Sequence, residues 1–307
     1  VEVAAAVILR ENGEEFLLAR RPESKVYADY WEFPGGKLEA GESVYQALCR
    51  ELQEELAVKV TAATPWLTRQ FDYPHATVRL HFWRVTAWEG EIQPVEHSGI
   101  VWLRRGETPT LAPILPANGP IIKALALPTV MAISNIEENG EDHELTRLEE
   151  ALAGGLRLFQ LRDKHMSGGE RLWQTEAMLA LIRPRGGLLV VNDDVKIAEL
   201  ARADGVHLSS CCLAGCRQRP EFEWVGASCH NRAELQRAAE LGLDYVLLGP
   251  VLPTPTHPEQ PGLGWAEFAQ LVAETPIPVL ALGGMQYADL ATAQAHGAHG
   301  IAMMRGW

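Results

Sequence analysis

The sequence predicts an α/β chain of two domains: a mixed-sheet α/β/α sandwich over 1–127, then a parallel (β/α)8 barrel over 128–307 that lacks its last helix. Three observations carry this. The chain of 307 residues, 47% of them apolar, is long enough for about two cores of ordinary size. Its pattern changes near Leu127-Pro128. Beyond Thr129 strand and helix signals alternate strictly, whereas before it short strands surround one strong helix.

In the first domain, residues 3–9 and 15–20 read as strands joined through Asn12-Gly13, a dipeptide suited to a tight hairpin. A helix is expected from Ser43, which can cap it, to about Leu56. Val44, Leu48, Leu52 and Leu56 recur every four positions and would seat that helix on a core. Residues 77–88 form a long β-rich run, Glu89-Gly90 turns it, 99–103 is a further strand, and 116–125 reads as a closing helix. In the second domain, strands are expected at 130–134, 156–162, 188–192, 205–208, 224–229, 244–250, 278–282 and 300–304. Helical stretches such as 144–153, 169–182, 232–241 and 265–273 fall between them, the alternation of a parallel barrel. The eighth strand lies at the C-terminal end, so the outer face of a missing last helix is expected to be covered by a second chain in a homodimer, by the first domain or by further residues.

A net charge of −13 argues against a broad nucleic-acid or anionic-membrane surface, so a small anionic substrate must meet local cations or bound metal. No long apolar run and no leader pattern is present. The cysteines, Cys49, Cys211, Cys212, Cys216 and Cys229, show no CxxC spacing, which disfavours structural zinc and disulfides and points to a reducing cytoplasm.

The strongest chemical signal runs from Gly36 through Glu42 and Arg50-Glu51-Leu52-Gln53-Glu54-Glu55 to Val58. Glu51, Glu54 and Glu55 stand at i, i+3 and i+4, so they share one helix face. Each like-charge pair opposes the helix by roughly 0.2–0.5 kcal/mol, and a bound cation is the natural compensation. Oxygen-only ligands are hard and select Mg2+, with Mn2+ as the alternative. A solvated acidic face is the bland reading; the preceding Phe33-Pro34-Gly35-Gly36 turn speaks against it.

This stretch is the Nudix box, which it matches except for Ala57 in the last Gly position. Residues 1 to about 126 resemble the MutT-type 8-oxo-dGTP diphosphatases beyond the box, through Arg20-Arg21, Trp31-Glu32-Phe33-Pro34-Gly35-Gly36-Lys37, Trp88-Glu89-Gly90-Glu91 and Leu115-Pro116-Ala117-Asn118. The resemblance implies metal ligation by Glu51, Glu54, Glu55, the Gly35 carbonyl and Glu96, with one box glutamate doubling as general base and Arg50 counted in the catalytic set. It implies nucleotide contacts from Arg21 and Asn118, with Phe33 and Tyr73 shaping a pocket for oxidised guanine. Asn118 reads equally well as the cap of the last helix. The implied substrate is a nucleoside triphosphate, cleaved to monophosphate and pyrophosphate.

Residues 129–307 resemble the thiamin phosphate synthase and thiazole tautomerase (TenI-like) family. The matching segments are Gln160-Leu161-Arg162-Asp163-Lys164, Val191-Asn192-Asp193, Ala203-Asp204-Gly205-Val206-His207-Leu208, Gly226-Ala227-Ser228-Cys229-His230, Leu248-Gly249-Pro250, Pro253-Thr254-Pro255-Thr256 and Leu282-Gly283-Gly284-Met285. The implied ligand is a thiamin precursor or a phosphate, held by Gln160, Arg162, Lys164, Asn192, Thr254, Thr256, Gly283 and Gly284, with His230 as proton-transfer group or, equally, a structural residue. Three departures stand against synthase chemistry: Cys212 occupies the place of a magnesium-binding Asp, His257 that of a Lys, and Arg305 that of a phosphate-binding Ser.

Overall fold

A computed structural model describes residues 1–74, 76–163, 165–254 and 261–307. It divides into two units, Val1–Leu127 and Pro128–Trp307. In the first, β1 (Glu2–Arg10), β2 (Glu15–Arg20), β3 (Trp31–Glu32), β4 (Gly35–Lys37), β5 (Lys59–Tyr73), β6 (Ala76–Glu89) and β7 (Gly99–Arg104) make one sheet in the order β3-β2-β1-β6-β5, with β4 on β1 and β7 on β2. Central strand β1 runs parallel to β6 and is buried on both faces. Its Ala4, Ala6 and Ile8 pack with Leu17, Leu48, Leu52 and Leu56 on the side of α1 (Val44–Leu56). Its Ala5, Val7 and Leu9 pack with Phe16, Phe82, Ile121 and Leu125 on the side of α2 (Gly119–Ala126). Period-2 alternation thus produces the sandwich.

Strand β5 has no clear counterpart in the sequence pattern. Its register slips between Val60 and Ala62, Ala62 and Ala63, and Pro65 and Leu67, so apolar alternation is lost where the bulges add residues. The expected closing helix splits into a 3-10 turn at Pro116–Asn118 followed by α2.

Helix α1 begins in a full capping box: the Gln46 amide donates to Ser43 Oγ (3.3 Å) and the Ser43 amide donates to Gln46 Oε1 (2.8 Å). It ends at Ala57, which adopts the left-handed conformation (φ 58°, ψ 30°) that glycine takes without strain. Ala57→Gly is therefore expected to raise stability by about 1 kcal/mol, read as a higher urea midpoint at unchanged slope.

The second unit is a closed parallel barrel in the order β8 (Val130–Ile133), β9 (Leu158–Leu161), β10 (Leu188–Asn192), β11 (Gly205–Leu208), β12 (Trp224–Cys229), β13 (Tyr245–Leu248), β14 (Val279–Leu282), β15 (Gly300–Met303) and back to β8. The connecting helices are α3 (Ile136–Asn139), α4 (Glu141–Ala153), α5 (Gly168–Ile182), α6 (Val195–Ala201), α7 (Ser210–Gly215), α8 (Arg232–Glu240), α9 (Gly264–Val272) and α10 (Leu290–Ala295). Beyond β15, Trp307 packs against residues of β8, β9 and α4. Its Nε1–H donates to the Ile133 carbonyl (3.0 Å), its ring meets Phe159 edge-on, and the Arg147 guanidinium lies 4.0 Å over it. Among the described residues no helix is long and apolar enough to cross a membrane.

Candidate functional site

In the first unit, β4 passes close beside α1. A side chain at Gly36 would place its Cβ 2.2 Å from the Glu51 carboxyl carbon, so any larger residue there would push that carboxylate aside. The Gly35 amide donates to Glu55 Oε2 (2.8 Å). Arg50 binds Glu42 through two parallel bonds (2.9 Å each), and donates to Glu51 (2.9 Å), Glu54 (3.3 Å) and the Lys37 carbonyl (3.1 Å). That uses all five guanidinium donors, and the Glu42 bond leads in raising its basicity further. The structure therefore makes Arg50 a brace for the carboxylates, with no donor left for substrate.

Glu55 is 3% exposed. Burial pushes its carboxyl above the usual range, against the opposing pull of His97, the Gly35 amide and Lys25. Lys25 Nζ lies 3.4 Å from Glu55 Oε1 and 3.4 Å from Glu96 Oε2. Burial alone would lower the Lys25 pKa, but the two carboxylates outweigh it and hold the ammonium above its ordinary value. Glu96 arrives there because the loop before it closes the end of α1: Gln93 N–H donates to Leu56 O (3.0 Å), Val95 N–H to Glu55 O (2.9 Å) and Glu96 N–H to Glu55 O (3.5 Å). His97 Nε2 sits 3.6 Å from Glu32 Oε1 and 3.9 Å from Glu55 Oε1, and Glu32 in turn accepts from Arg21 Nη1.

Of the base-pocket candidates, Arg21 is tied to Glu32 and to the Val26 carbonyl (2.8 Å). Tyr73 stands with Tyr27 and Phe71, ring centroids 5.7 and 4.6 Å away. Phe33 is 4% exposed and packs in the core between Phe16 and Phe82. Asn118 stands at the N-cap of α2 without a side-chain capping bond; it is 4% exposed and its Nδ2 has no hydrogen-bond partner among the described residues.

The hard oxygen donors on one helix face suit Mg2+ or Mn2+ in chemistry. In arrangement, however, no three His, Cys, Asp or Glu groups among the described residues form a ready metal shell. Glu51 and Glu54 turn to Arg50, Glu55 to Gly35 and Lys25, and Glu96 to Lys25.

In the second unit, a cavity of about 930 Å³ opens at the carboxyl ends of the barrel strands and is lined by Arg162, Asn192, His230, Thr254, Gly283 and Gly284, among others. Gln160 lies beneath, 1% exposed, donating to Asn192 Oδ1 (3.0 Å), with its own Oε1 unpartnered. His230 Nδ1 is 3.0 Å from Glu234 Oε2. Arg305, also on the lining, forms a two-pronged ion pair with Glu138. Cys212 caps nothing itself; its amide donates to Ser209 Oγ (3.3 Å). The Ser209 hydroxyl favours its thiolate, but burial and Asp193 outweigh that and hold the thiol protonated. Lys164, Thr256 and His257 lie outside the described residues.

A family model described as thiamine monophosphate synthase matches residues 130–307, and one described as NUDIX domain matches residues 1–125. The chain belongs to the thiamine monophosphate synthase family, joined to a NUDIX hydrolase domain. A thiamine-phosphate synthase of Thiobacillus denitrificans is 39% identical over 164 residues, 52% of this chain and 78% of that protein. A thiamine phosphate pyrophosphorylase structure from Pyrococcus furiosus is 26% identical, covering 57% of this chain and 85% of that one, with a TM-score of 0.49. The MutT NUDIX hydrolase of Burkholderia pseudomallei is 27% identical, covering 40% and 95%, with a TM-score of 0.36.

Within the synthase unit, His207 lies in the matching segment 203–208, which carried no assigned role. It is 0% exposed inside the barrel, between Tyr245 OH (3.2 Å) and Ser228 Oγ (2.9 Å), and burial drives its pKa down to about 3. The unfolded chain takes up this proton below about pH 6.5, whereas the folded barrel refuses it until far lower, so stability is full above that pH and falls as pH drops. The loss is about 1.4 kcal/mol per pH unit in that window. Urea melts at pH 7 and pH 5 are expected to show it in the native protein and not in His207→Gln. Within the NUDIX unit, Lys25 and His97 lie outside any motif, and Glu32, although part of the Trp31–Lys37 match, carried no assigned role; the proximity of all three to the box carboxylates arises in the fold.

Proposed function

We infer that the NUDIX domain hydrolyses 8-oxo-dGTP to 8-oxo-dGMP and pyrophosphate in a Mg2+-dependent reaction, a role in nucleotide-pool sanitation and DNA repair. The observation that carries this reading is the α1 carboxylate array, with Gly36 pressed against Glu51 and Arg50 bracing Glu51 and Glu54. Glu51, Glu54, Glu55, the Gly35 carbonyl and Glu96 would hold the metal, which supplies charge neutralisation and a more acidic water at a phosphate. The protein's own share is to fix the carboxylates through Arg50, keep an acceptor for the water's proton, and orient the nucleotide. The choice of base rests on Asn118, whose buried donor lacks a partner and favours a ligand acceptor, and on the Tyr27, Phe71 and Tyr73 aromatics, which suit stacking on a purine.

For the barrel, the reading is a ligand-binding unit retaining a phosphate or thiamin-precursor site without synthase turnover. A protonated thiol at Cys212 offers no hard ligand in place of the carboxylate, and Glu138 already engages Arg305. A second reading has one observation in its favour: a synthase domain on the same chain makes a thiamin-related diphosphate a natural alternative substrate for the hydrolase.

One experiment separates these. With Mg2+, the chain is offered 8-oxo-dGTP, dGTP and thiamin diphosphate, and separately the two thiamin precursors. Expected are cleavage of 8-oxo-dGTP at least about a hundredfold faster than dGTP in kcat/KM, as hydrogen-bonded discrimination permits, and no thiamin phosphate. Equal rates on the two nucleotides defeat the 8-oxo-dGTP reading, and robust thiamin phosphate formation defeats the reading of Cys212.

A further inference from the structure

The hydrolase site is strongly acidic, yet its proposed substrate is a polyanion, so a cationic side chain able to leave the carboxylates would assist a metal in meeting phosphate. Among the described residues, three Arg or Lys side chains contact its carboxylates: Arg50, Arg21 and Lys25. Arg50 has committed all five donors to Glu42, Glu51, Glu54 and the Lys37 carbonyl, and dislodging it would collapse the carboxylate array it braces. Arg21 is locked to Glu32 and Val26 by shorter bonds. Lys25 differs on each count: its two contacts are long, 3.4 Å each, its side chain is 35% exposed, and it sits in the segment between β2 and β3, outside any helix or strand.

The partners of Lys25 are also informative. Glu55 and Glu96 are remote in sequence, and the ammonium bridges one oxygen of each. Those carboxylates are among the groups that would hold a divalent ion, so the ion and the ammonium compete for the same oxygens. A divalent ion carries twice the charge and would take those oxygens, which would free the flexible four-carbon arm of Lys25 for a phosphate.

Resting on the hydrolase reading above, we propose that Lys25 is an exchangeable cation: it holds Glu55 and Glu96 until a divalent metal takes them, then turns to the phosphate chain of the substrate. Lys25 thereby couples metal loading to phosphate capture. The same residue neutralises carboxylates or phosphate, never both.

Calorimetry on the full chain tests this without turnover, using Mg2+ alone and then inorganic pyrophosphate in saturating Mg2+. Lys25→Met is expected to bind Mg2+ several-fold more tightly, because its competitor is gone, and pyrophosphate at least about tenfold more weakly, because one charge-assisted contact is lost. Lys25→Arg, which keeps the charge, is expected to stay near the native values for pyrophosphate. Lys59→Met, which removes an exposed charge paired with Glu89, should leave Mg2+ affinity within about twofold, as expected for a screened charge. Unchanged pyrophosphate affinity in Lys25→Met overturns the proposal, as does an equal Mg2+ effect from Lys59→Met. Failure of the hydrolase reading would show separately, as absence of turnover in the native protein.

Discussion

Glu54→Gln is expected to lower kcat for nucleotide hydrolysis by at least about a hundredfold, since losing even an outer-shell partner of a metal site costs ten- to a hundredfold. The substitution is nearly isosteric and removes only charge. Glu54 is the most exposed of the three box carboxylates, its side chain 53% accessible, and its one contact is a 3.3 Å bond from Arg50 that an amide oxygen can still accept. Stability should therefore stay within about 0.5 kcal/mol of the native chain, which thermal melting would verify. A variant that melts normally and still turns over within about threefold of the native rate would remove Glu54 from the metal set.

Gly300→Ala is expected to destroy the barrel's cooperative unfolding transition. Gly300 begins β15, the strand that closes the barrel between β14 and β8, and an added Cβ would lie 1.7 Å from the Thr129 carbonyl oxygen and 2.5 Å from its carbon. Both are backbone atoms of the residue that leads into β8, whose carbonyl accepts from the Ile301 amide (2.9 Å), so relief requires prising β15 from β8. Overpacking with a movable neighbour costs about 1–3 kcal/mol, and a rigid one should exceed that. Gly169→Ala serves as control: an added Cβ there meets nothing within 4 Å, and alanine favours helix α5 by up to about 1 kcal/mol. A Gly300→Ala barrel that melts like the control would mean the sheet shifts more easily than its closed hydrogen bonding implies.

The carboxylate helix is legible in the sequence because its information is local. Ser43 and Gln46 cap it, Leu48, Leu52 and Leu56 seat it, and Glu51, Glu54 and Glu55 share its face within one turn. The barrel strands are legible for a similar reason: β10, β11 and β12 are short apolar runs buried on both sides, separated by regular helices. What escapes is whatever depends on distant partners. Lys25 meets Glu55 and Glu96, 30 and 71 positions away, and no spacing rule points there. Phe33 lies beside the glycines of the box, which suggests a pocket, while the sheet turns its ring toward Phe16 and Phe82. Strand β5 hides because its bulges break the very alternation that reveals other strands.

The amides of Gln93, Val95 and Glu96 end α1 by bonding its last carbonyls. Glu96 therefore inherits its position from the helix terminus rather than from its own loop. Lengthening or shortening the 90–96 segment by a single residue would leave the box untouched as text, yet carry the fourth carboxylate out of reach. In protein engineering terms, grafting this hydrolase centre onto another scaffold means transplanting helix and clasp together, because the box alone encodes only part of its own geometry.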